Sequence, residues 1–210
     1  MRLWRVLAGT AALALCGAAG AEGPVLRPLH DVDVTYRLDA GGGGPLHERL
    51  RWDAGSQRLR IDPPAPGLYV IVDLVARRMS TVRMAERTVI EMAAPDNVTG
   101  MPNSAVASAV RQGADTVAGL ACIDWDMTDA AGEPARLCLT ADGVLLRAQA
   151  GGRTLLSAET VHYGPVDAAV FEVPAGYARQ KLGPQPGGVP PSGSQVGGSQ
   201  VGGSQPGGPR

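Results

Sequence analysis

The chain has 210 residues, of which 44% are hydrophobic, and it carries 19 lysines and arginines against 20 aspartates and glutamates. With a formal net charge of −1, no broad basic surface is available to neutralise phosphates, so we expect no nucleic-acid partner. The sequence contains no phosphate-binding loop, nucleophile elbow or zinc-protease motif. We therefore expect a protein that is not an enzyme and that needs no cofactor.

The first 21 residues have the pattern of a secretory signal peptide. A basic head with Arg2 and Arg5 precedes an apolar run from Leu7 to Leu15, and a small-residue cleavage pattern ends at Ala21. We predict export to the periplasm or secretion. The alternative is a lipid anchor on Cys16, because bacterial lipoproteins are cleaved just before a cysteine, but Leu15 stands where a small residue is wanted.

Residues 22–182 are expected to form one domain made mostly of strands. Polar and apolar residues alternate over 31–38, 46–52 and 57–61, and Ala54-Gly55 predicts a two-residue turn that would set Leu50 opposite Leu59. The run 68–72 is continuously apolar, so this strand should be covered on both faces.

A helix is predicted from Ser104 to Gln112, and it is the best candidate to cover the sheet. Asn103 or Ser104 can cap its start and Gly113 can end it. Strands, a helix and further strands together predict a mainly β, α+β fold, with a strongly curved antiparallel sheet or half-barrel under helical cover.

Cys122 and Cys138 lie on two alternating segments that we predict to pair as a hairpin. With Cys122 opposite Cys138, Asp124 would face Arg136, and Asp142-Gly143 would then turn the chain so that Cys138 faces Arg147. In an exported protein, two cysteines on adjacent strands predict a disulfide. A redox dithiol would require a Cys-x-x-Cys motif, which these two cysteines do not form. A zinc site would want further ligands, and His30, His47 and His162 have no metal spacing, so we expect no metal.

Residues 183–210, rich in Gly, Pro, Ser and Gln, repeat VGGSQ and contain no apolar face, so they should form a disordered tail.

Several apolar residues fall on the inward side of the predicted strands. They can be core residues, or they can line a concavity that holds an acyl chain or hydrophobic peptide. The candidate ligand-binding face consists of Val34, Tyr36, Leu50, Trp52, Val70, Ile123, Trp125 and Met127.

Two segments resemble a family of exported bacterial proteins classed only as a domain of unknown function. They are GADTVAGLACIDW at 113–125 and VFEVPAGYARQKL at 170–182, and the matching positions are Gly119, Cys122, Trp125, Phe171, Pro174, Gly176 and Tyr177. That family is grouped with the lipoprotein-carrier (LolA/LolB-like) superfamily. The resemblance implies a curved half-barrel capped by helices over an apolar cavity, with structural roles for these seven residues, including sheet closure by Phe171 and Tyr177.

The leading hypothesis for function is a non-enzymatic periplasmic carrier-like protein. Its partner would be a lipid, an acyl chain, a lipoprotein or another hydrophobic ligand, and the protein would be a monomer. The alternative is a structural or protein-interaction module of the cell envelope with a filled core, in which the tail acts as a tether to an envelope protein.

Overall fold

The computed structural model describes residues 23–39, 41, 44–94, 106–129 and 132–182. The predicted signal peptide and tail lie outside these residues. The described part forms one sheet of twelve strands and one short 3-10 helix, Ala168–Phe171. The strands are β1 Val32–Leu38, β2 Leu46–Asp53, β3 Arg58–Asp62, β4 Leu68–Asp73, β5 Arg78–Arg83, β6 Thr88–Ala93, β7 Val106–Val117, β8 Leu120–Asp129, β9 Pro134–Leu139, β10 Leu145–Ala150, β11 Arg153–Tyr163 and β12 Ala178–Lys181.

Two antiparallel meanders join edge to edge to make this sheet. Strands β1 to β6 form the first and β7 to β11 the second, and β1 pairs with β11 at the junction. The antiparallel sheet is confirmed. One strand departs from it, because β12 runs parallel to β6 at the far edge.

Four-residue loops connect β2 to β3, β4 to β5 and β5 to β6 in the first meander. Gln57, Arg77 and Arg87 each end such a loop with positive φ. Asp53 and Asp73 stabilise two of the loops by accepting hydrogen bonds from the backbone N–H three residues on, at 2.9 and 2.8 Å. The predicted two-residue turn at Ala54-Gly55 is therefore wrong, and Leu59 lies opposite Trp52 instead of Leu50.

The predicted helical cover is wrong. No α-helix occurs among the described residues, and the part of Ser104–Gln112 that the structure describes belongs to β7. Two β-bulges interrupt β7, near Val106 and Gln112. Successive residues on one face of β7 are therefore separated by three positions in the sequence at some points and by two at others. This spacing imitates a helical pattern in the sequence. Pairing with β8 determines the actual conformation.

The disulfide between Cys122 and Cys138 is confirmed, with a Cα–Cα distance of 5.4 Å. Its register differs from the prediction, because Asp124 is the residue opposite Cys138 and Asp126 is the residue opposite Arg136. The two cysteines are therefore diagonal neighbours. The predicted pairing of Cys138 with Arg147 is confirmed.

Chain connectivity requires the sheet to curve. Strands β6 and β7 are ten strand positions apart, which is about 48 Å along a sheet at a spacing of about 4.8 Å. The twelve steps of chain from residue 94 to residue 106 span at most about 43 Å. The two strands run in the same direction, so the connection must also span the length of a strand. The two edges of the sheet must therefore lie closer together than they would in a flat sheet.

Candidate functional site

All eight residues of the predicted ligand-binding face lie on one face of the sheet, which we call the core face. Strand register places them there: Val34 is opposite Leu50, which is opposite Ile61, which is opposite Val70. Across the junction, Leu38, Leu156, Ala148 and Leu137 are successive partners, and Leu137 is opposite Trp125. Ile123 and Met127 alternate with Trp125 on β8.

The centre of the core face is filled by the protein itself. Val34, Tyr36, Leu50 and Trp52 are each 3% exposed or less. The Tyr36 hydroxyl donates to the backbone oxygen of Leu145 at 2.8 Å, and the Trp52 Nε1 donates to the backbone oxygen of Pro28 at 2.9 Å. Burial, followed by the nearby charge of Glu48, raises the pKa of Tyr36, which therefore stays neutral.

The N-terminal segment, residues 23–31, packs against this centre. Besides the hydrogen bond from Trp52 to Pro28, the backbone N–H of Leu29 donates to the oxygen of Asp142 at 2.9 Å. Leu26 packs into a second buried cluster that contains Trp125, Met127, Leu139 and Leu145. Trp125 and Met127 are 8% and 5% exposed. Trp125 and Met127, like the residues at the centre of the core face, are therefore already packed against other residues of this protein.

Four core-face residues on β4, β5 and β6 are only partly buried. They are Val70, Met79, Ile90 and Met92, and we call them the apolar strip. Met79 is directly opposite Met92, and Thr81 lies between Val70 and Ile90. Of these four residues, only Val70 was predicted from the sequence. The alternating, β-branched segments 78–83 and 88–93 were the signal available for the other three.

The opposite face of β4 to β6 is covered by the chain after β11. Val173 and Tyr177 pack on Tyr69, Ile71, Val82 and Val89. Residues 164–182, which we call the strap, then end as β12 on the edge of β6. One face of β4 is thus covered by irregular chain and not by the predicted helix, while Val70 on its core face is only partly buried. Phe171 is 4% exposed, and the sheet-closing role that the resemblance implied for it and for Tyr177 stays a prediction.

The part of the chain that the structure describes contains neither a metal-binding cluster nor a membrane-spanning helix. No group of three or more His, Cys, Asp or Glu side chains is placed to hold a metal ion. No helix there is long and apolar enough to cross a membrane.

Comparison with known proteins shows the fold but not a family. No family model matches the sequence, and no curated protein matches it. Among solved structures, an uncharacterized conserved protein from Thermus thermophilus is 11% identical with a TM-score of 0.53, and the match covers 73% of this chain and 91% of that one.

MucB is a second structural neighbour. Its crystal structure is 13% identical with a TM-score of 0.50, and the match covers 71% of this chain and 59% of MucB, so this chain spans little more than half of that protein. The structure of MucB with MucA from Pseudomonas aeruginosa aligns at a TM-score of 0.46 and 14% identity, covering 70% of this chain and 56% of that one. At these identities the likeness concerns the fold alone.

Proposed function

We propose that this chain is a non-enzymatic binding protein of the bacterial cell envelope that holds an apolar segment of a protein partner on the apolar strip. The observation that carries the proposal is that the core face continues beyond its filled centre as four partly exposed apolar side chains, two of them methionines. Methionine side chains are flexible and polarizable, so they adapt to ligands of irregular shape. Exposed apolar patches on soluble proteins are often interaction sites.

The filled centre favours a peptide segment over a lipid carrier function. Tyr36, Trp52 and their neighbours are already packed, and their polar atoms already have partners inside the protein. An enclosed acyl chain would need that volume. An extended segment that lies on the surface of β4, β5 and β6 would need only the strip.

The predicted signal peptide and the disulfide support a place outside the cytosol. Disulfides such as Cys122–Cys138 persist in oxidising compartments. MucB, whose fold is similar, is a protein that has been solved with a partner protein, MucA. For this chain we propose the binding mode from its own apolar strip.

The test uses protein exported with its own signal sequence and purified from the periplasm. Binding of a fluorescein-labelled peptide of alternating leucine and serine is compared with binding of a fluorescent fatty acid. In the double variant Met79→Glu/Met92→Glu we expect peptide affinity to fall about tenfold or more, because a carboxylate would have to be desolvated against apolar groups. Met84→Glu is the matched control, since Met84 is 48% exposed outside the strip.

The result expected is peptide binding by the wild type and by Met84→Glu, with loss in the double variant whose circular dichroism is unchanged. Fatty-acid binding without peptide binding would replace the proposal with the lipid-carrier alternative. Binding of neither probe, or equal peptide affinity in all three proteins, would overturn it.

A further inference from the structure

A pocket of about 290 Å³ lies between the strap and the sheet, on the opposite side of the sheet from the apolar strip. Register explains which sheet residues reach it. Arg58, Asp73 and Arg78 are successive partners across β3, β4 and β5, and Ile71 is opposite Ser80 in the next row. The strap forms the other wall. We call this site the strap pocket.

Ser80 is a buried polar residue in the lining of the strap pocket. It is 4% exposed. Its hydroxyl forms no hydrogen bond with the other residues that the structure describes. Its Oγ atom is not one of the fully buried polar atoms that lack a partner, so it can be reached from the pocket. The pocket therefore contains a donor that is available to a bound group.

The strap pocket offers more hydrogen-bond donors than acceptors. Both carboxylate oxygens of Asp73 are engaged, one by the N–H of Ala76 at 2.8 Å and the other by Arg58 Nε at 3.2 Å. Arg78 forms no hydrogen bond or ion pair with the residues that the structure describes, and each guanidinium carries five N–H donors. Its full donor set is therefore open to a ligand.

A third arginine reaches the pocket from the strap. Arg179 uses Nη1 to donate to Glu91 at 2.5 Å, and its remaining N–H groups are not engaged with described residues. Glu172, which is exposed to water, is the second carboxylate of the lining. The lining contains three cations and two anions, and Glu91, which pairs with Arg179 from outside the lining, balances the third cation.

The remaining wall is apolar. Ile71 and Phe171 are 5% and 4% exposed, and Val173 packs beside them on the buried cluster of this face. A group held by the arginines would thus have a small hydrophobic body next to it. Arginine donors match the oxygens of carboxylate and phosphate groups.

We propose that the strap pocket is a binding site for an oxyanion, a carboxylate or phosphate group carried on a small apolar body. Arg78 and Ser80 donate to its oxygens from the sheet, Arg58 and Arg179 supply further N–H donors, and Phe171 contacts the apolar body. Because the strap provides one wall, the bound ligand also fastens the strap to the sheet.

Calorimetric titration of the full processed chain tests this with matched probes. N-acetyl-leucine carries the carboxylate, N-acetyl-leucinamide has the same shape without the charge, and inorganic phosphate tests the second oxyanion. We expect an oxyanion to bind and the amide not to bind. Arg78→Gln should weaken binding about tenfold or more, as loss of charge-assisted hydrogen bonds does.

Three further variants make the result specific. Ser80→Ala should weaken binding without opening a cavity, and Glu172→Gln should strengthen it by removing a nearby negative charge. Arg83→Gln is the control, because Arg83 is an exposed arginine at the far end of the same strand, outside the pocket. Hydrogen exchange of strap amides should slow when the ligand is present.

Binding of N-acetyl-leucine without phosphate identifies a carboxylate ligand, and the reverse identifies a phosphate. Either result supports the proposal. It is overturned if neither anion binds, if the amide binds as well as the acid, or if Arg78→Gln binds the anion as Arg83→Gln does. The Met79→Glu/Met92→Glu variant should bind the anion normally, which separates this site from the apolar strip.

Discussion

At the scale of single residues, Asp62 shows how one carboxylate allows two arginines to face each other. Arg51 is directly opposite Arg60 in the pairing of β2 with β3, an arrangement that is unfavourable for like charges. Asp62 accepts a hydrogen bond from Arg51 and from Arg60, the latter at 2.8 Å. Arg60 also lies 3.7 Å from the ring centre of Tyr69. These contacts offset the repulsion between the two guanidinium groups.

Asp62→Asn should destabilise the protein by about 1–3 kcal/mol, because the arginines lose their shared anion while remaining partly buried. Burial raises the pKa of Asp62, but the hydrogen bonds from Arg60 and Arg51 outweigh it and leave the pKa below its ordinary value of 3.8. The carboxylate therefore contributes stability that is fully present above that ordinary value and is lost as the pH falls through the lower, folded one.

Urea denaturation at neutral pH and at acid pH checks this prediction. The difference between wild type and Asp62→Asn should shrink as the solution is acidified below about pH 4. Ser56→Ala at the nearby loop serves as a control for a lost carboxylate contact, since it removes a hydroxyl bonded to Asp53 but leaves the arginine pair intact. A difference that stays constant with pH would contradict the assigned role of Asp62.

At the scale of elements, the N-terminal segment docks on the turn between β9 and β10 at a point where only glycine fits. Gly143 has φ of 92°, and a Cβ atom there would clash with the backbone oxygen of Arg27 and lie 2.8 Å from a side-chain carbon of Val25. The adjacent hydrogen bond from Leu29 to Asp142 fixes the same contact. The glycine therefore serves both the turn and the close approach of the segment.

Gly143→Ala should cost more stability than Gly119→Ala. Both glycines have positive φ, so both substitutions strain the backbone, but Gly119 has open space where a Cβ would be. We expect an additional loss of about 1–3 kcal/mol at Gly143 from the clash with Arg27. Thermal denaturation of both variants measures the difference, and faster exchange of the Leu29 amide should accompany it. Equal losses would show that the segment is not held at this point.

At the scale of the whole molecule, one sheet is stabilised by packing on both faces. The N-terminal segment packs against the core face, and the strap packs against the opposite face of β4 to β6. Strand β12 itself is exposed along its length and pairs on one side with β6. Phe171 is buried, Val173 and Tyr177 pack on the sheet and Arg179 pairs with Glu91, so the strap depends on these four side chains.

Phe171→Ala should release the strap and expose the apolar residues beneath it. Replacing a buried phenylalanine with alanine costs about 3–5 kcal/mol, and Phe171 is among the most buried residues of the strap. Hydrogen exchange of β12 should accelerate and binding of an apolar dye should increase. Leu182→Ala, which truncates a side chain that is 52% exposed, is the control. Unchanged exchange in Phe171→Ala would mean that another contact holds the strap.

Local patterns in the sequence determined much of the sheet. Alternation over 31–38, 46–52 and 57–61 predicts β1 to β3, and two cysteines on alternating segments predict the disulfide that the structure contains. These predictions succeed because the side chains of a strand alternate between two faces with a period of two. Loop length then sets register, and for that reason the four-residue loop after Asp53 shifted the pairing of Leu59 to Trp52.

Tertiary structure decided what covers the sheet and which parts of the core face stay open. A segment with helical spacing became β7 because it pairs with β8 through two bulges, and the cover came from irregular chain at both ends of the domain. Such contacts join residues far apart in the sequence; Arg60, for example, donates to the backbone oxygen of Val170 at 2.9 Å. Periodicity is a local property of the chain, so it identifies apolar faces, but only packing between distant segments determines whether a face is filled, as at Trp52, or partly exposed, as at Met79.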